Sequence, residues 1–314
     1  MQKVVTYTEE SGKVLSGKPL VSIVIPTRNH LEKLKKALES VARQTYNNYE
    51  TIVIDDASTD QTYSWVRTSY PNINSIRLTK QGGAAKARNR GIKMSKGKFI
   101  AFLDSDDEWL AEYLQIQVEA LVQNPEVNIS FSEVTVADSN GLEKTIRYVK
   151  KENYPSLIHR LLLETSFIFS MSSAVIKADA LNKIGLLNER LKITHDRELY
   201  IRLLQLGGNI IYIPKTMVIK HSHESNISLN FPNWAKDAML LLDIFFADKK
   251  NKQEYKETEG NARREIILAL FLYLSNKNQR FFSKLRVLPL FLIDILRFGK
   301  YLRKDIGKLF IKKN

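Results

Sequence analysis

The sequence predicts an α/β protein with a mainly parallel central sheet flanked by helices. Short apolar strands alternate with amphipathic helices from residue 21 to residue 136, as they do in βαβ units. Two of these strands, residues 51–54 and 99–103, run directly into carboxylates that cannot be buried with them. In an open parallel sheet, ligands bind at the carboxyl ends of the strands, and hard cations prefer carboxylate oxygens. The first hypothesis from the pattern is therefore a metal-dependent nucleotide site.

The elements follow in a regular order. The predicted strands cover residues 21–25, 51–54, 76–78, 99–103 and 129–136. The predicted helices between them cover residues 31–41, 84–94 and 109–122, and residues 58–60 could start one more helix. The pattern loosens from about residue 150, where helices are predicted at 157–163, 178–184 and 196–206 and extended segments at 172–176, 210–213 and 218–221. After Pro232 the pattern is entirely helical, which predicts a C-terminal all-helical extension.

Composition bounds the class of protein. The chain has 314 residues, of which 44% are hydrophobic and 26% charged, enough for one large α/β domain and an appendage. The absence of cysteine excludes disulfides and thiolate metal sites and is compatible with a reducing compartment. The first residues lack the apolar core of a signal peptide, so we expect a cytoplasmic protein. We predict a loose polar arm over residues 1–19, the α/β domain over 20–230 and a helical, basic region over 231–314.

Positive charge is concentrated at the end of the chain. The net charge is +14, and residues 280–314 contain ten basic and two acidic residues, a net charge of +8. The apolar residues of this tail fall mostly on one helical face, and the longest apolar stretches are far shorter than the ~20 residues of a membrane span. A basic amphipathic tail predicts peripheral binding to the inner face of the cell membrane. The alternatives are a helical hairpin packed on the core and a homodimer element; nothing else in the chain indicates nucleic acid.

Several motifs allow more than one interpretation. The turn after the first strand, residues 26–29, lacks the glycines of a dinucleotide-binding fold, which argues against hydride transfer. Asp55 and Asp56 could cap a helix, and the Gly-rich turn at residues 82–83 could receive a phosphate. Asp196 could favour a helix N-terminus electrostatically. His221 and His223 alternate along one strand, so at most one of them can share a site.

The order of five segments along the chain indicates a protein family. These segments are residues 21–29, 40–46, 54–60, 87–91 and 102–107, and the last contains the sequence Phe-Leu-Asp-Ser-Asp-Asp. In this order and spacing they closely resemble the family-2 glycosyltransferases with the GT-A fold. The resemblance covers residues 20 to about 225, and residues 232–314 fall outside it.

The resemblance implies roles for individual residues. Asp104 and Asp106 match the family's Asp-x-Asp motif, in which Asp106 would bind the metal that bridges the donor diphosphate, Mn²⁺ or Mg²⁺. Asp196 matches the catalytic base of a later motif that is usually Glu-Asp, although His195 precedes it here and leaves the acceptor contacts open. His221 lies where some related enzymes have a metal-contacting histidine. The residues expected to contact the nucleotide sugar are Pro26, Thr27, Asp56, Arg88, Asp104 and Ser105.

The implied activity is inverting transfer of a sugar from a nucleoside diphosphate donor, expected to be a UDP-sugar. The expected acceptor is a hydroxyl of a glycan or lipid-linked molecule in surface polysaccharide synthesis. Two alternatives are a nucleotidyltransferase, which would release pyrophosphate, and a non-catalytic scaffold that binds a nucleotide sugar or the membrane.

Overall fold

The computed structural model describes residues 3–8, 17–137, 143–151, 154–164, 166–222 and 230–276, with side chains as far as residue 270. The chain divides into two compact units, residues 1–158 with 166–226 and residues 159–165 with 227–314. The predicted boundaries at residues 19 and 230 remain predictions. The predicted membrane-binding tail, residues 280–314, and His223 lie outside the described residues.

The first unit contains a mixed sheet in which the described strands all take part. The strands are β1 (Val4–Thr6), β2 (Val21–Thr27), β3 (Tyr49–Asp55), β4 (Asn74–Arg77), β5 (Phe99–Phe102), β6 (Asp107–Trp109), β7 (Ile129–Ala137), β8 (Glu143–Ile146), β9 (Ala174–Lys177) and β10 (Ile210–His221). Eight of them follow the order β1-β10-β7-β9-β5-β2-β3-β4, with β6 paired to β10 and β8 to β7. Strands β5, β2, β3 and β4 are parallel neighbours, as predicted. Strand β9 is antiparallel to both β5 and β7, so it joins two parallel groups.

The structure describes ten α-helices, and the last three along the chain belong to the second unit. The helices are α1 (Leu31–Ala42), α2 (Thr62–Ser69), α3 (Ala84–Met94), α4 (Tyr113–Gln123), α5 (Leu157–Leu163), α6 (Ala178–Ile184), α7 (His195–Gln205), α8 (Phe231–Ala247), α9 (Lys249–Glu254) and α10 (Lys256–Asn276). The apolar face predicted for α1 is buried at Leu34, Leu38 and Val41. All seven residues of β2 are buried, which is typical of a central parallel strand. The mainly parallel α/β fold is confirmed.

Three local predictions were wrong. Residues 4–6, predicted as part of a loose arm, form an edge strand parallel to residues 210–212 of β10. Asp107, predicted as the last acid of the strand end, and Trp109, predicted to begin a helix, both belong to β6, which pairs with β10 in antiparallel register. The two segments predicted at 210–213 and 218–221 are one bulged strand, β10. In each case the pairing partner is more than 80 residues away in sequence, where local patterning carries no signal.

The second unit is helical over its described residues. Arg263 of α10 lies 2.7 Å from Asp243 of α8 and 3.3 Å from Glu259 one turn earlier, and its side chain is almost fully buried. The ion pair with Asp243 links α10 to α8, and the pair with Glu259 lies within α10. Among the described residues, no helix combines the length and the apolar character needed to cross a membrane.

Candidate active site

The site lies where three neighbouring parallel strands end. Thr27 at the end of β2 is in register with Asp55 at the end of β3, and β5 ends beside β2. The loops after β2 and β3 are tied together, since Asn29 N donates to Ser58 Oγ (2.9 Å) and Thr59 N donates to Asn29 Oδ1 (2.7 Å). Asn29 and Ala57 both have left-handed backbone, with φ of 52° and 57°. Such strained turns are concentrated at functional sites, and here they shape the edge of the sheet.

The two acids after β3 have different partners. Asp55 is buried, accepts hydrogen bonds from the backbone and hydroxyl of Ser58, and lies 3.5 Å from Arg77 Nε. Its role is to hold the turn. Asp56 instead accepts from the backbone N–H groups of Gly82 and Gly83, at 2.7 and 2.8 Å. The residue predicted to contact the nucleotide base therefore also orients the Gly-rich turn that enters α3.

The other two predicted nucleotide contacts on this side are Pro26 and Thr27, the last two residues of β2, and both are buried. Thr27 O accepts the backbone hydrogen bond from Asp56 N at 2.8 Å. Within the described part of the chain, the buried Thr27 Oγ1 has no hydrogen-bond partner. A polar atom in this condition is uncommon in native proteins, and a bound ligand can supply its partner.

Arg88 is the centre of the site, and its position is set by helix α3. A Cβ at Gly91 would come within 2.3 Å of Val24 Cγ1, so only glycine lets α3 approach β2 this closely. Arg88 lies one turn earlier on the same helix face and is buried. Its Nη2 donates to Asp104 Oδ1, and its Nη1 is 2.7 Å from Nε2 of His195. Helix α3 thus places a buried guanidinium between the end of β5 and the start of α7.

The acidic cluster after β5 contains carboxylates with distinct surroundings. Asp104 and Asp106 are partly exposed, whereas Asp107 is fully buried. Burial alone would raise the pKa of Asp104, but the charges of Arg88 and Lys220 hold it below its ordinary value. Ser105, between them, is buried with its hydroxyl 3.1 Å from His30 Nδ1. The two members of the Asp-x-Asp motif therefore face outward while the residue between them faces the protein.

Asp107 is held inside the protein by two serines and a lysine. Its Oδ2 accepts from Ser172 Oγ at 2.6 Å and from Ser170 Oγ at 3.3 Å, and its Oδ1 is 3.4 Å from Lys220 Nζ. Ser172 Oγ also accepts from the backbone N–H of Asp104, at 3.0 Å. Burial raises the pKa of Asp107 to about 7, against the opposing effect of Lys220. Asp107 thus anchors the segment at residues 170–173 to the acidic strand end. Local patterning could not predict this contact, because two serines in a loosely patterned region are not distinctive.

Asp196 lies in the first turn of α7, and its side chain is partly exposed. Burial of its carboxyl group raises its pKa to about 6; the backbone N–H of Arg197, 2.6 Å from Oδ1, and the charge of Arg88 act in the opposite direction. Asp104 lies close enough to raise the pKa further. The structure therefore brings Asp196, Arg88 and Asp104 together from α7, α3 and β5. A carboxylate with a pKa close to neutral is suited to act as a general base.

His221 has a different neighbour from the one predicted. Its Nε2 is 2.8 Å from Oε1 of Glu108, across the β6–β10 pair. In the part of the chain that the structure describes, no three His, Asp or Glu side chains are grouped so as to hold a metal ion. The placement of His221 therefore gives no support to its assignment as a metal ligand.

An α/β fold with an acidic, arginine-containing site at the carboxyl ends of its parallel strands defines an enzyme that handles anionic, nucleotide-like ligands. The family profile "Glycosyl transferase family 2" matches residues 22–185, which is more than half of the chain. The protein is a member of this glycosyltransferase family, as its motifs predicted.

Individual relatives agree with this assignment. An uncharacterized glycosyltransferase of Haemophilus influenzae is 27% identical over 286 residues, covering 88% of this chain and 95% of the relative. The Escherichia coli UDP-Glc:alpha-D-GlcNAc-diphosphoundecaprenol beta-1,3-glucosyltransferase WfgD is 42% identical over 113 residues, 36% of this chain and 44% of that protein. In structure, residues 1–349 of TarS of S. aureus, in complex with UDP-GlcNAc, superimpose with a TM-score of 0.58 at 19% identity, covering 79% of this chain and 81% of that 1–349 chain. This last likeness concerns the fold.

Proposed function

We propose that the protein is an inverting glycosyltransferase that moves a sugar from a UDP-sugar to a hydroxyl group of a lipid-linked or growing surface glycan. The observation that carries the proposal is the convergence of Asp196, Arg88 and Asp104 at the strand ends. These residues place a carboxylate with a pKa of about 6, that of Asp196, near the buried guanidinium of Arg88, whose positive charge suits a diphosphate. The names of two similar proteins support the donor class, since one uses UDP-Glc and the other was solved with UDP-GlcNAc.

The donor would be held by groups from three strand ends. Thr27 and Asp56 are the proposed contacts of the base and ribose, and Asp56 also fixes the turn at residues 82–83 at the N-terminus of α3. Arg88 supplies positive charge for the diphosphate, and its pairing with Asp104 leaves the guanidinium fixed in orientation. A charge held in place in this way stabilises the departing nucleoside diphosphate without reorganisation during the reaction.

The acidic strand end fits a divalent cation that arrives with the donor. Asp104 and Asp106 are partly exposed carboxylates, and Mg²⁺ in such sites is commonly held by one or two carboxylates together with substrate phosphates and water. Asp106 matches the metal ligand of the Asp-x-Asp motif and is partly exposed, so we assign it as the main protein ligand for Mn²⁺ or Mg²⁺. When bound, the cation neutralises charge on the leaving diphosphate.

Asp196 is the proposed general base. Its carboxylate takes the proton of the acceptor hydroxyl as the hydroxyl oxygen forms a bond to the anomeric carbon. The bond from that carbon to the diphosphate oxygen breaks in the same displacement, and its electron pair leaves with the nucleoside diphosphate. A single displacement inverts the configuration at the anomeric carbon, and no covalent intermediate with the enzyme is required.

The products distinguish this proposal from its rivals. Incubation with a panel of UDP-sugars, Mn²⁺ and an undecaprenyl diphosphate-linked sugar acceptor should release UDP in step with glycosylated acceptor. Release of pyrophosphate instead would indicate a nucleotidyltransferase. Donor binding with neither transfer nor slow donor hydrolysis would indicate a non-catalytic scaffold.

The pH dependence of transfer should report the raised pKa of Asp196. The base acts in its ionised form, so kcat/KM should fall roughly tenfold for each pH unit below a limb near pH 6. A solvent-exposed aspartate would place this limb near pH 4, about its ordinary pKa. Initial rates between pH 4.5 and pH 8 at saturating Mn²⁺ measure the limb. A flat profile down to about pH 5 would contradict the assignment of the base.

The proposed site of action is the inner face of the cell membrane, reached through residues 280–314. Their charge of +8 should attract the protein to anionic vesicles, with binding that weakens as salt rises. Deleting residues 280–314 should abolish co-sedimentation with anionic vesicles and preserve transfer to a soluble acceptor.

A length-matched control changes only the charge of this tail. Replacing Arg297, Lys300, Lys304 and Lys308 by Gln removes four positive charges and should weaken vesicle binding without loss of solubility. A truncated protein that is insoluble, together with a full chain that does not bind vesicles, would favour the hairpin or homodimer alternative instead.

A further inference from the structure

We propose that His195 is a positioning residue for donor binding: as a neutral acceptor it fixes the guanidinium of Arg88 without adding negative charge to the donor site. This inference rests on the function proposed above. It concerns a side chain that the sequence marked only as a departure from the usual Glu of the motif.

The hydrogen bond determines the state of His195. Arg88 Nη1 lies 2.7 Å from His195 Nε2, and both side chains are buried. A guanidinium group has only donors and keeps its charge in proteins, so Nε2 of His195 must be the acceptor. The imidazole is therefore neutral, with its proton on Nδ1. Protonated histidine could not make this contact, because both of its ring nitrogens would be donors.

The contact links three elements of the site. Arg88 belongs to α3, His195 begins α7, and Asp104 follows β5. Arg88 donates to His195 through Nη1 and to Asp104 through Nη2, so each of its two terminal nitrogens is held by a different partner. Two partners define the plane of a guanidinium, whereas one leaves it free to rotate about a single contact. The bond also ties the start of α7, and with it Asp196, to the donor side of the site.

The charge of the side chain that accepts the hydrogen bond from Arg88 also affects donor binding. A carboxylate at position 195 could also accept from Arg88, but it would bring a further negative charge close to Asp104 and Asp196. The diphosphate of the donor is itself an anion, so each added negative charge in the site opposes its binding. A neutral imidazole supplies the hydrogen bond without adding a second carboxylate bonded to Arg88 beside Asp104.

Three substitutions in the full-length protein separate the hydrogen bond from the charge. His195→Gln keeps a neutral acceptor, His195→Leu removes the acceptor, and His195→Glu adds a charge. We expect calorimetric UDP affinity in Mn²⁺ to change less than about threefold for His195→Gln and to fall roughly 10–100-fold for His195→Leu, the range for hydrogen bonds to charged groups. For His195→Glu, UDP affinity should be lower than for His195→Gln, and the acid limb of kcat/KM should move to higher pH.

Two controls test whether the effect passes through Arg88. His159→Gln, a histidine of the second unit, should leave UDP affinity unchanged. In an Arg88→Met background, His195→Leu should cause little further loss of UDP affinity, because coupled residues are not additive. A role in folding alone would lower the thermal midpoint and leave the Kd for UDP of the folded fraction unchanged.

The outcomes distinguish the two proposals. If the wild-type protein binds UDP and transfers sugar while His195→Leu binds UDP equally well, the role of His195 is overturned and the proposed function stands. Equal losses for His195→Gln and His195→Leu would also overturn it. If His195→Leu does not fold, equal UDP affinities of the Gln and Glu variants overturn the charge argument. Absence of UDP binding by the wild-type protein would overturn the proposed function, and this inference with it.

Discussion

Asp196→Asn should lower the rate of sugar transfer by at least about a hundredfold while leaving the affinity for UDP-sugar close to that of the wild type. Asparagine keeps the shape of the side chain and can still accept the hydrogen bond from Arg197 N, but it cannot take a proton from the acceptor hydroxyl. The donor is held by Arg88 and the strand ends, so donor binding should be retained. Initial rates and calorimetric titration with UDP-sugar measure the two quantities.

The stability of this variant provides an internal control. The pKa of Asp196 is raised in the folded protein, so the folded state holds its proton more tightly than the unfolded chain does. This contribution to stability is present below about pH 4 and is lost as the pH rises through about 6. At pH 7, removing the charge should therefore not destabilise the fold, and Asp196→Asn should have a thermal midpoint equal to or above that of the wild type. Lost activity in such a protein cannot be attributed to unfolding.

Asp179→Asn is the matched comparison. Asp179 also lies in the first turn of a helix, α6, but it is exposed and distant in sequence from the site motifs. If Asp196 only favours the start of α7, the two variants should behave alike. Transfer by Asp196→Asn at a rate near that of the wild type would place the general base elsewhere.

The part of the fold that could be predicted is the part governed by local patterning. Strands β2, β3 and β5 contain short buried apolar runs, at residues 23–25, 52–54 and 99–102, as expected for central strands of such a sheet. Their acidic ends were visible in the sequence for the same reason that they form a site, since charged groups must leave the buried run. The position of Arg88 between two strand-end motifs followed from the order of the segments.

The partners of each acid could not be predicted, because they depend on distant contacts. Asp55 and Asp56 are adjacent, yet one is held by Ser58 and Arg77 and the other by the glycines at residues 82–83. In the same way, Asp107 is balanced by Lys220, which is 113 residues away in sequence. Adjacent acids look equivalent in a sequence, and only the packing of elements decides which one remains accessible.

The difference between Asp106 and Asp107 matters for the interpretation of mutations. Asp107 is fully buried and bonded to Ser170 and Ser172, so its removal would leave Lys220 and two hydroxyl groups without their partner. Removing one partner of a buried ion pair commonly lowers the free energy of unfolding by about 3–5 kcal/mol. Asp107→Ala should therefore lower stability and perturb Asp104 through Ser172. Asp106 is partly exposed, and its removal should not have this effect.

Asp106→Ala should abolish metal-dependent donor binding and leave the fold intact. Asp106 is the second acid of the Asp-x-Asp motif and is partly exposed, whereas Asp107 is fully buried, so we assign Asp106 to the cation. Without it, addition of Mn²⁺ should no longer increase the affinity for UDP-sugar, whereas the wild-type affinity should rise with Mn²⁺ and fall with EDTA. Calorimetry with and without Mn²⁺, with Asp179→Ala as the control, measures this difference, and thermal unfolding verifies the fold. Mn²⁺-dependent affinity in Asp106→Ala equal to that of the wild type would remove the metal assignment.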